Sequence, residues 1–199
     1  MIGIIDYGAG NLNSISKAFE HLGFKIEIIK ENNDLNRYEA LVLPGVGAFY
    51  SAMQKLKKNN LVSFINDFVQ TGRPLLGVCL GMQLLFEWGF EEKKTRGLNL
   101  LKGDVVKIKA GLKIPHMGWN DLEILQNDIL FNNLRTNPHF YFVHSYKLMD
   151  VTDDVIAVTE YGDQIPAVIR RDNIIGFQFH PEKSGENGLE LLKNFGELI

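Results

Sequence analysis

The stretch Pro74-Leu-Leu-Gly-Val-Cys-Leu-Gly-Met-Gln-Leu-Leu85 holds the only cysteine of a 199-residue chain. Leu75, Leu76 and Val78 lead into Cys79; Leu80, Met82, Leu84 and Leu85 follow it. Gly77 and Gly81 stand two residues to either side of the thiol. This is the strand–elbow–helix pattern G-x-S-x-G with sulfur in place of oxygen. The glycines allow a sharp turn and the close approach of neighbouring elements. The thiol then sits outside the carboxyl end of a strand, where open α/β sheets keep their chemistry. The helix start that follows favours thiolate over thiol through its unpaired N–H groups and dipole. The N–H of Leu80 points toward a developing oxyanion. A buried, inert cysteine fits the same letters.

Outward from this stretch the chain alternates. Ile2–Ile5 and Lys25–Ile29 read as strands around a helical stretch from Asn13 to Leu22. Ala40–Leu43 is a further strand, ending at Pro44-Gly45. Leu61, Phe64, Ile65, Phe68 and Val69 fall on one face of a helix. Pro74–Val78 is a strand and Gly81 to about Trp88 a helix. The second half reads as strands at Asp104–Ile108, Phe140–Val143, Val155–Val158, Ala167–Ile169 and Ile174–Phe179, then a helix carrying Leu189, Leu192 and Phe195. Alternation of this kind predicts one three-layer α/β domain over residues 1–199, a mostly parallel central sheet with helices on both faces.

Composition narrows the function. The chain is 45% hydrophobic and 23% charged, with a net charge of −3. That is ordinary for a globular protein with a core, and it lacks the basic footprint of a nucleic-acid binder. The charge clusters Lys57-Lys58 and Glu91-Glu92-Lys93-Lys94 read as solvated ends or loops. No apolar run approaches the roughly 18 residues of a membrane span. Met1–Asp6 reads as a first strand rather than a signal peptide, and a lone cysteine forms no internal disulfide. A cytoplasmic location without membrane attachment is expected.

A thiolate that breaks an acyl bond needs a proton shuttle. Of the five histidines, His180 is best placed: it follows the apolar run Ile174–Phe179, in Phe179-His-Pro-Glu182. In an extended segment positions i and i+2 share a side, so Glu182 can orient His180. Leu43-Pro-Gly-Val-Gly47 is another glycine-rich strand end. It fits both an ordinary turn and a backbone aiming an N–H at a ligand. The Gly8-Ala-Gly10 pair after the first strand lacks the third glycine of a dinucleotide site, since Asn13 stands there. His116, His144 and Cys79 lack the close ligand-pair spacing of a zinc site. No metal or cofactor is expected.

Six stretches together resemble the triad-type class I glutamine amidotransferases, and more narrowly the glutaminase subunits of imidazole glycerol phosphate synthase. They are Asp6-Tyr-Gly-Ala-Gly-Asn11, Pro44-Gly-Val-Gly-Ala-Phe49, Gly77-Val-Cys-Leu-Gly-Met-Gln-Leu-Leu85, Pro115-His-Met-Gly-Trp-Asn120, Tyr141-Phe-Val-His-Ser-Tyr146 and Gly176-Phe-Gln-Phe-His-Pro-Glu-Lys-Ser184. The resemblance implies the class I fold and hydrolysis of L-glutamine to glutamate and ammonia. Cys79 would be the nucleophile, His180 the proton carrier and Glu182 its orienting partner. The oxyanion would meet the N–H groups of Leu80 and Val46, the latter after a flip of the Gly45–Val46 peptide. Gly47, Gln83, His144, Ser145 and Tyr146 would hold glutamine. Asn11, Trp119, Tyr141 and Lys183 would lie near a partner and the mouth of an ammonia path. That partner would be a separate (β/α)8 barrel cyclase of histidine biosynthesis, since 199 residues leave no room for a barrel of about 250. Phe86-Glu-Trp-Gly-Phe-Glu-Glu92 departs from the acidic Ser-Glu-Glu usual there. Ammonia supply to a sugar-amidinating synthase is therefore a second reading. A non-catalytic binding module is a third, which a broken triad would mark.

Overall fold

The computed structural model describes residues 1–199 except Ala9, Asn33, Ala110, Leu112 and Val151. Ala9 belongs to the Asp6–Asn11 stretch and so lies outside the described residues. The first half runs β1 (Ile2–Ile5), α1 (Leu12–His21), β2 (Ile26–Ile29), β3 (Ala40–Gly45), α2 (Phe49–Lys58), α3 (Leu61–Gln70), β4 (Leu75–Cys79) and α4 (Leu80–Leu84). Then follow β5 (Phe86–Gly89), β6 (Thr95–Arg96), β7 (Leu101–Lys107), β8 (His116–Asp121), β9 (Glu123–Ile124) and β10 (His139–His144). The chain ends through β11 (Tyr146–Leu148), β12 (Val155–Glu160), β13 (Gln164–Arg171), β14 (Ile174–Phe177) and α5 (Gly185–Gly196).

Eight strands form the main sheet in the order β2-β1-β3-β4-β14-β13-β12-β9. The first five are mutually parallel; β13, β12 and β9 continue antiparallel. The parallel strands β1, β3, β4 and β14 are buried on both faces, and their side chains divide alternately between two cores. In β3, Leu41 and Leu43 face one side with Leu56, Phe64 and Phe68 of α2 and α3. Ala40 and Val42 face the other, with Phe19 of α1 and Leu192 and Phe195 of α5. Each large apolar side chain removed from water contributes about 2 kcal/mol, so the one-sided stripe of α3 anchors that helix to the sheet. Among the described residues no helix is long and apolar enough to cross a membrane.

The three-layer expectation holds, and one boundary within it fails. The helix after Cys79 ends at Leu84, and Phe86–Gly89 is a strand. It pairs in parallel with β7 and antiparallel with β6, inside a small sheet of order β11-β7-β5-β6. Leu84, Leu85 and Phe86 are each buried, so hydrophobicity alone does not distinguish a continuing helix from a strand, and tertiary pairing decides. A two-stranded sheet of β8 and β10 lies nearby, with Tyr141 opposite Trp119 and His144 opposite His116.

Sheet order is what assembles the site. β3, β4 and β14 are consecutive neighbours, and Gly45 pairs with Cys79 while Phe177 pairs with Val78. Three carboxyl ends therefore deliver Gly45–Gly47, Cys79 and Gln178–His180 to one edge.

Candidate active site

Cys79 has φ 53° and ψ −112°, a left-handed backbone that side chains rarely adopt. The surroundings impose it. A Cβ on Gly81 would stand 1.8 Å from the Leu43 carbonyl oxygen, and one on Gly77 would stand 2.7 Å from the Met82 nitrogen. The glycines are thus required by close approach, at positions where no side chain fits. The thiol is a tenth-exposed or less, at 6%. Its sulfur lies 3.9 Å from the Val143 carbonyl oxygen and 3.9 Å from Gln178 Nε2. Since α4 has only five residues, its contribution is a pair of local N–H donors rather than the dipole of a long helix.

His180 follows β14, and its backbone N–H donates to the Tyr141 carbonyl at 2.9 Å. Its Nδ1 lies 2.8 Å from Glu182 Oε1. The expected pairing is present, but on a different backbone: Pro181–Lys183 form a tight 3₁₀ turn, not an extended segment. Both side chains are buried, at 3% and 1% exposure. Asn11 Nδ2 donates to the same Glu182 oxygen at 2.9 Å, and Ser14 Oγ donates to Asn11 Oδ1 at 2.8 Å. Asn11 therefore braces the carboxylate of the His–Glu pair, a contact its sequence position gave no sign of.

Burial alone would drive the proton off His180. Hydrogen bonds with Cys79 and Glu182, and the charges of both, outweigh it and hold the imidazolium up to about pH 10. Burial would also protonate Glu182, but the hydrogen bond and charge of His180 and the Asn11 amide keep its carboxyl below the usual range. His180 Nε2 is the ring nitrogen that Glu182 leaves free; it is buried, and His180 lines the cleft together with Cys79. A proton on that nitrogen has a leaving group as its natural acceptor. Glu182→Gln is expected to lower turnover by less than Cys79→Ala, because it leaves thiol and imidazole in place. His180 has its value raised by Glu182, so removing that charge should bring the alkaline limb of the pH–rate profile to lower pH. Steady-state pH profiles of the two variants check this; equal losses in a folded protein would give Glu182 more than an orienting role.

The cleft encloses about 330 Å³, the size range of small-molecule sites. Val46, Gly47, Leu80, Gln83, Ser145 and Tyr146 line it, together with His144 and the Cys79–His180 pair. Gly45 stands behind this wall, beside Cys79 in the sheet. Gly47 has the left-handed φ of +99°, whereas at Gly45 a Cβ would meet the Tyr7 hydroxyl at 2.5 Å and the Gly81 nitrogen at 2.9 Å. Crowding against the elbow is thus the requirement at Gly45. Gln83 differs from expectation in part. Its Nε2 donates to the Tyr146 carbonyl at 2.8 Å and to Gln178 Oε1 at 3.0 Å, which leaves only its carbonyl oxygen for a ligand.

Two residues were missed. Glu91, read as part of a solvated cluster, lines the cleft and accepts from the Phe49 N–H at 2.7 Å; Glu92, Lys93 and Lys94 are exposed as expected. Gln178 is fully buried and links Gln83 to the sulfur. Its place two residues before His180 at a strand end was the available signal. Outside the cleft, Trp119 is 56% exposed and packs edge-on to Tyr141 with ring centroids 6.0 Å apart. Lys183 Nζ lies 5.9 Å from the Tyr141 ring. These three expected interface residues form one patch, while Asn11 belongs to the Glu182 network.

A cysteine on a strained elbow, a buried His–Glu pair and an adjoining cleft define a thiol-dependent acyl-transfer site. The family model of the class I glutamine amidotransferases matches residues 3–198, and the chain belongs to that family. Similar solved structures include one described as a glutamine amidotransferase, at 21% identity, TM-score 0.78 and coverage of 99% of this chain and 97% of that one. PurLQS from Thermotoga maritima aligns at 20% identity and TM-score 0.78, over 98% and 97%. Much nearer in sequence are proteins named imidazole glycerol phosphate synthase subunit HisH. That of Caldanaerobacter subterraneus subsp. tengcongensis is 50% identical, over 100% of this chain and 98% of that protein. That of Lactococcus lactis is 49% identical over 98% of both, and that of Methanocaldococcus jannaschii is 47% identical over the whole of both. Within the class, the chain is a member of the HisH family.

Proposed function

We propose that residues 1–199 act as one glutamine amidotransferase domain, a glutaminase that feeds ammonia to a second polypeptide in histidine biosynthesis. One observation carries the chemistry: adjacent strand ends bring Cys79 and the Glu182-bound imidazole of His180 to a single cleft about 330 Å³ in volume. Cys79 attacks the side-chain amide of glutamine. His180 Nε2 gives its proton to the departing ammonia, and then takes one from the water that releases glutamate from the thioester. The N–H groups of Leu80 and Val46 receive the oxyanion. Glu91 faces the substrate's α-ammonium, and Gly47, Ser145 and Tyr146 position the rest. The intact triad argues against a non-catalytic module.

The partner is a (β/α)8 barrel cyclase that makes imidazole glycerol phosphate and an aminoimidazole carboxamide ribotide. It docks on the patch of Trp119, Tyr141 and Lys183 and reaches Val46, which is 42% exposed. Both partners work in the cytoplasm. Full-length identity near half to HisH proteins supports this acceptor over a sugar-amidinating synthase. Mixing the chain with each synthase and following glutamine-derived nitrogen tests the choice. Incorporation with the cyclase alone is expected; incorporation only with the sugar enzyme would reverse the assignment.

A further inference from the structure

Two buried histidines behind the cleft form a hydrogen-bonded chain with an acceptor at each end. His144 Nδ1 lies 2.8 Å from the Tyr146 carbonyl oxygen, which only accepts, so that nitrogen bears hydrogen. His144 Nε2 lies 3.0 Å from His116 Nδ1, and His116 Nε2 lies 3.1 Å from Asn120 Oδ1. The Asn120 amide is oriented by its other end: Nδ2 donates to the Glu160 carbonyl at 3.0 Å. Its oxygen therefore faces His116, and His116 Nε2 must bear hydrogen as well. The contact between the rings needs a third hydrogen. Two neutral imidazoles supply only two.

The surroundings of His116 suit a cation. Its ring lies between two aromatic faces, Phe142 at 4.9 Å and Tyr161 at 4.0 Å between centroids, each tilted by only 18°. Aromatic faces on both sides attract a cation held between them. The Tyr161 hydroxyl donates to the Lys113 carbonyl at 2.6 Å, which fixes that ring in place.

We propose that the His116–His144 pair shares three ring protons at neutral pH, and so sets one positive charge in the wall of the cleft toward the α-carboxylate of glutamine. His116 is a positioning residue, acting through His144, which lines the cleft. With Glu91 on the same cleft, the wall then offers both signs of charge to a zwitterion. Burial opposes the shared charge: it pulls His144 down to about 3 and lowers His116. His180 opposes it too; Glu91 and Cys79 line the same cleft. Without the third proton, a bare nitrogen lone pair would face the Asn120 oxygen or the second ring, and a buried unsatisfied contact of that kind is costly. The pair titrates as a unit, with one proton distributed over two rings.

The test is nitrogen-15 NMR of the full chain labelled at histidine, at pH 7, with His116→Phe and His144→Phe assigning the signals. Three ring N–H protons on the pair are expected; two would overturn the proposal. The role toward carboxylate rests on the glutaminase reading, but the proton count does not. In the complex, His116→Gln keeps a donor for His144 without the charge. It is expected to raise KM for glutamine about tenfold, the worth of one partly screened charge pair, with kcat within about twofold. An unchanged KM would overturn the carboxylate role, and absence of glutaminase activity in the unmodified complex would instead reject the proposed function.

Discussion

Replacing Cys79 by serine is expected to lower glutamine-dependent product formation by at least about a thousandfold, while synthesis from added ammonium salts continues. Serine differs only by a smaller oxygen in place of sulfur, so the φ of 53° and the contacts of Gly77 and Gly81 persist. What changes is the reacting atom. An alcohol is far less ionised than a thiol near neutral pH and is a weaker nucleophile, and removing a triad nucleophile forfeits most of the rate. His180 also loses a group whose hydrogen bond and charge hold its proton. The measurement is paired turnover of the reconstituted complex with glutamine and with ammonium. Glutamine turnover above a tenth of the unmodified rate would remove Cys79 from the nucleophile's role.

Coupling to the partner is the second large effect. Ammonia released from an unpartnered subunit becomes ammonium in water and is no longer a nucleophile. The chain alone is expected to hydrolyse glutamine at least about a hundredfold more slowly than the complex with acceptor bound, the worth of one oxyanion donor. Such a gate would act at the Gly45–Val46 peptide. Turning the Gly45–Val46 peptide rotates ψ of Gly45 and φ of Val46 together. Val46 has no positive φ at present, so strain from the turn falls on a β-branched residue. Partner contacts at this exposed residue would have to offset it. Gly45→Ala is a poor probe, because its Cβ would press on Tyr7 and on the elbow itself. Val46→Pro deletes the N–H and also fixes φ at about −65°, so both the donor and the turn are removed. It is expected to cost the complex about a hundredfold in glutaminase rate, with partner affinity nearly unchanged. Full activity of the isolated chain would refute the gate and leave the triad intact.

The parallel half of the fold was legible because its inner strands are short runs of apolar residues and glycine. Leu75–Val78 and Ile174–Phe177 show this most plainly. The small sheet was not legible. Phe86–Gly89 follows a helix without a turn residue, and its strand character comes from β6 and β7, which lie later in the chain. The site divides in the same way. Cys79 and His180 announce themselves by local geometry, and Glu182 by its nearness to His180. Glu91 and Asn11 act on residues 42 and 171 positions away, and no local pattern encodes that. The 3₁₀ turn at Pro181–Lys183 brought the right pair together by a route that extended-strand reasoning did not contain.

The chain's only thiol is also the proposed nucleophile at the elbow between β4 and α4. A thiol-directed reagent therefore has a single destination, and each equivalent consumed counts one competent site. Preparations can be standardised by titration against that reagent, with no background from other cysteines to subtract. The same arithmetic makes the molecule vulnerable, since one oxidation event at one sulfur silences it and no second thiol is present within the chain to resolve the damage as a disulfide.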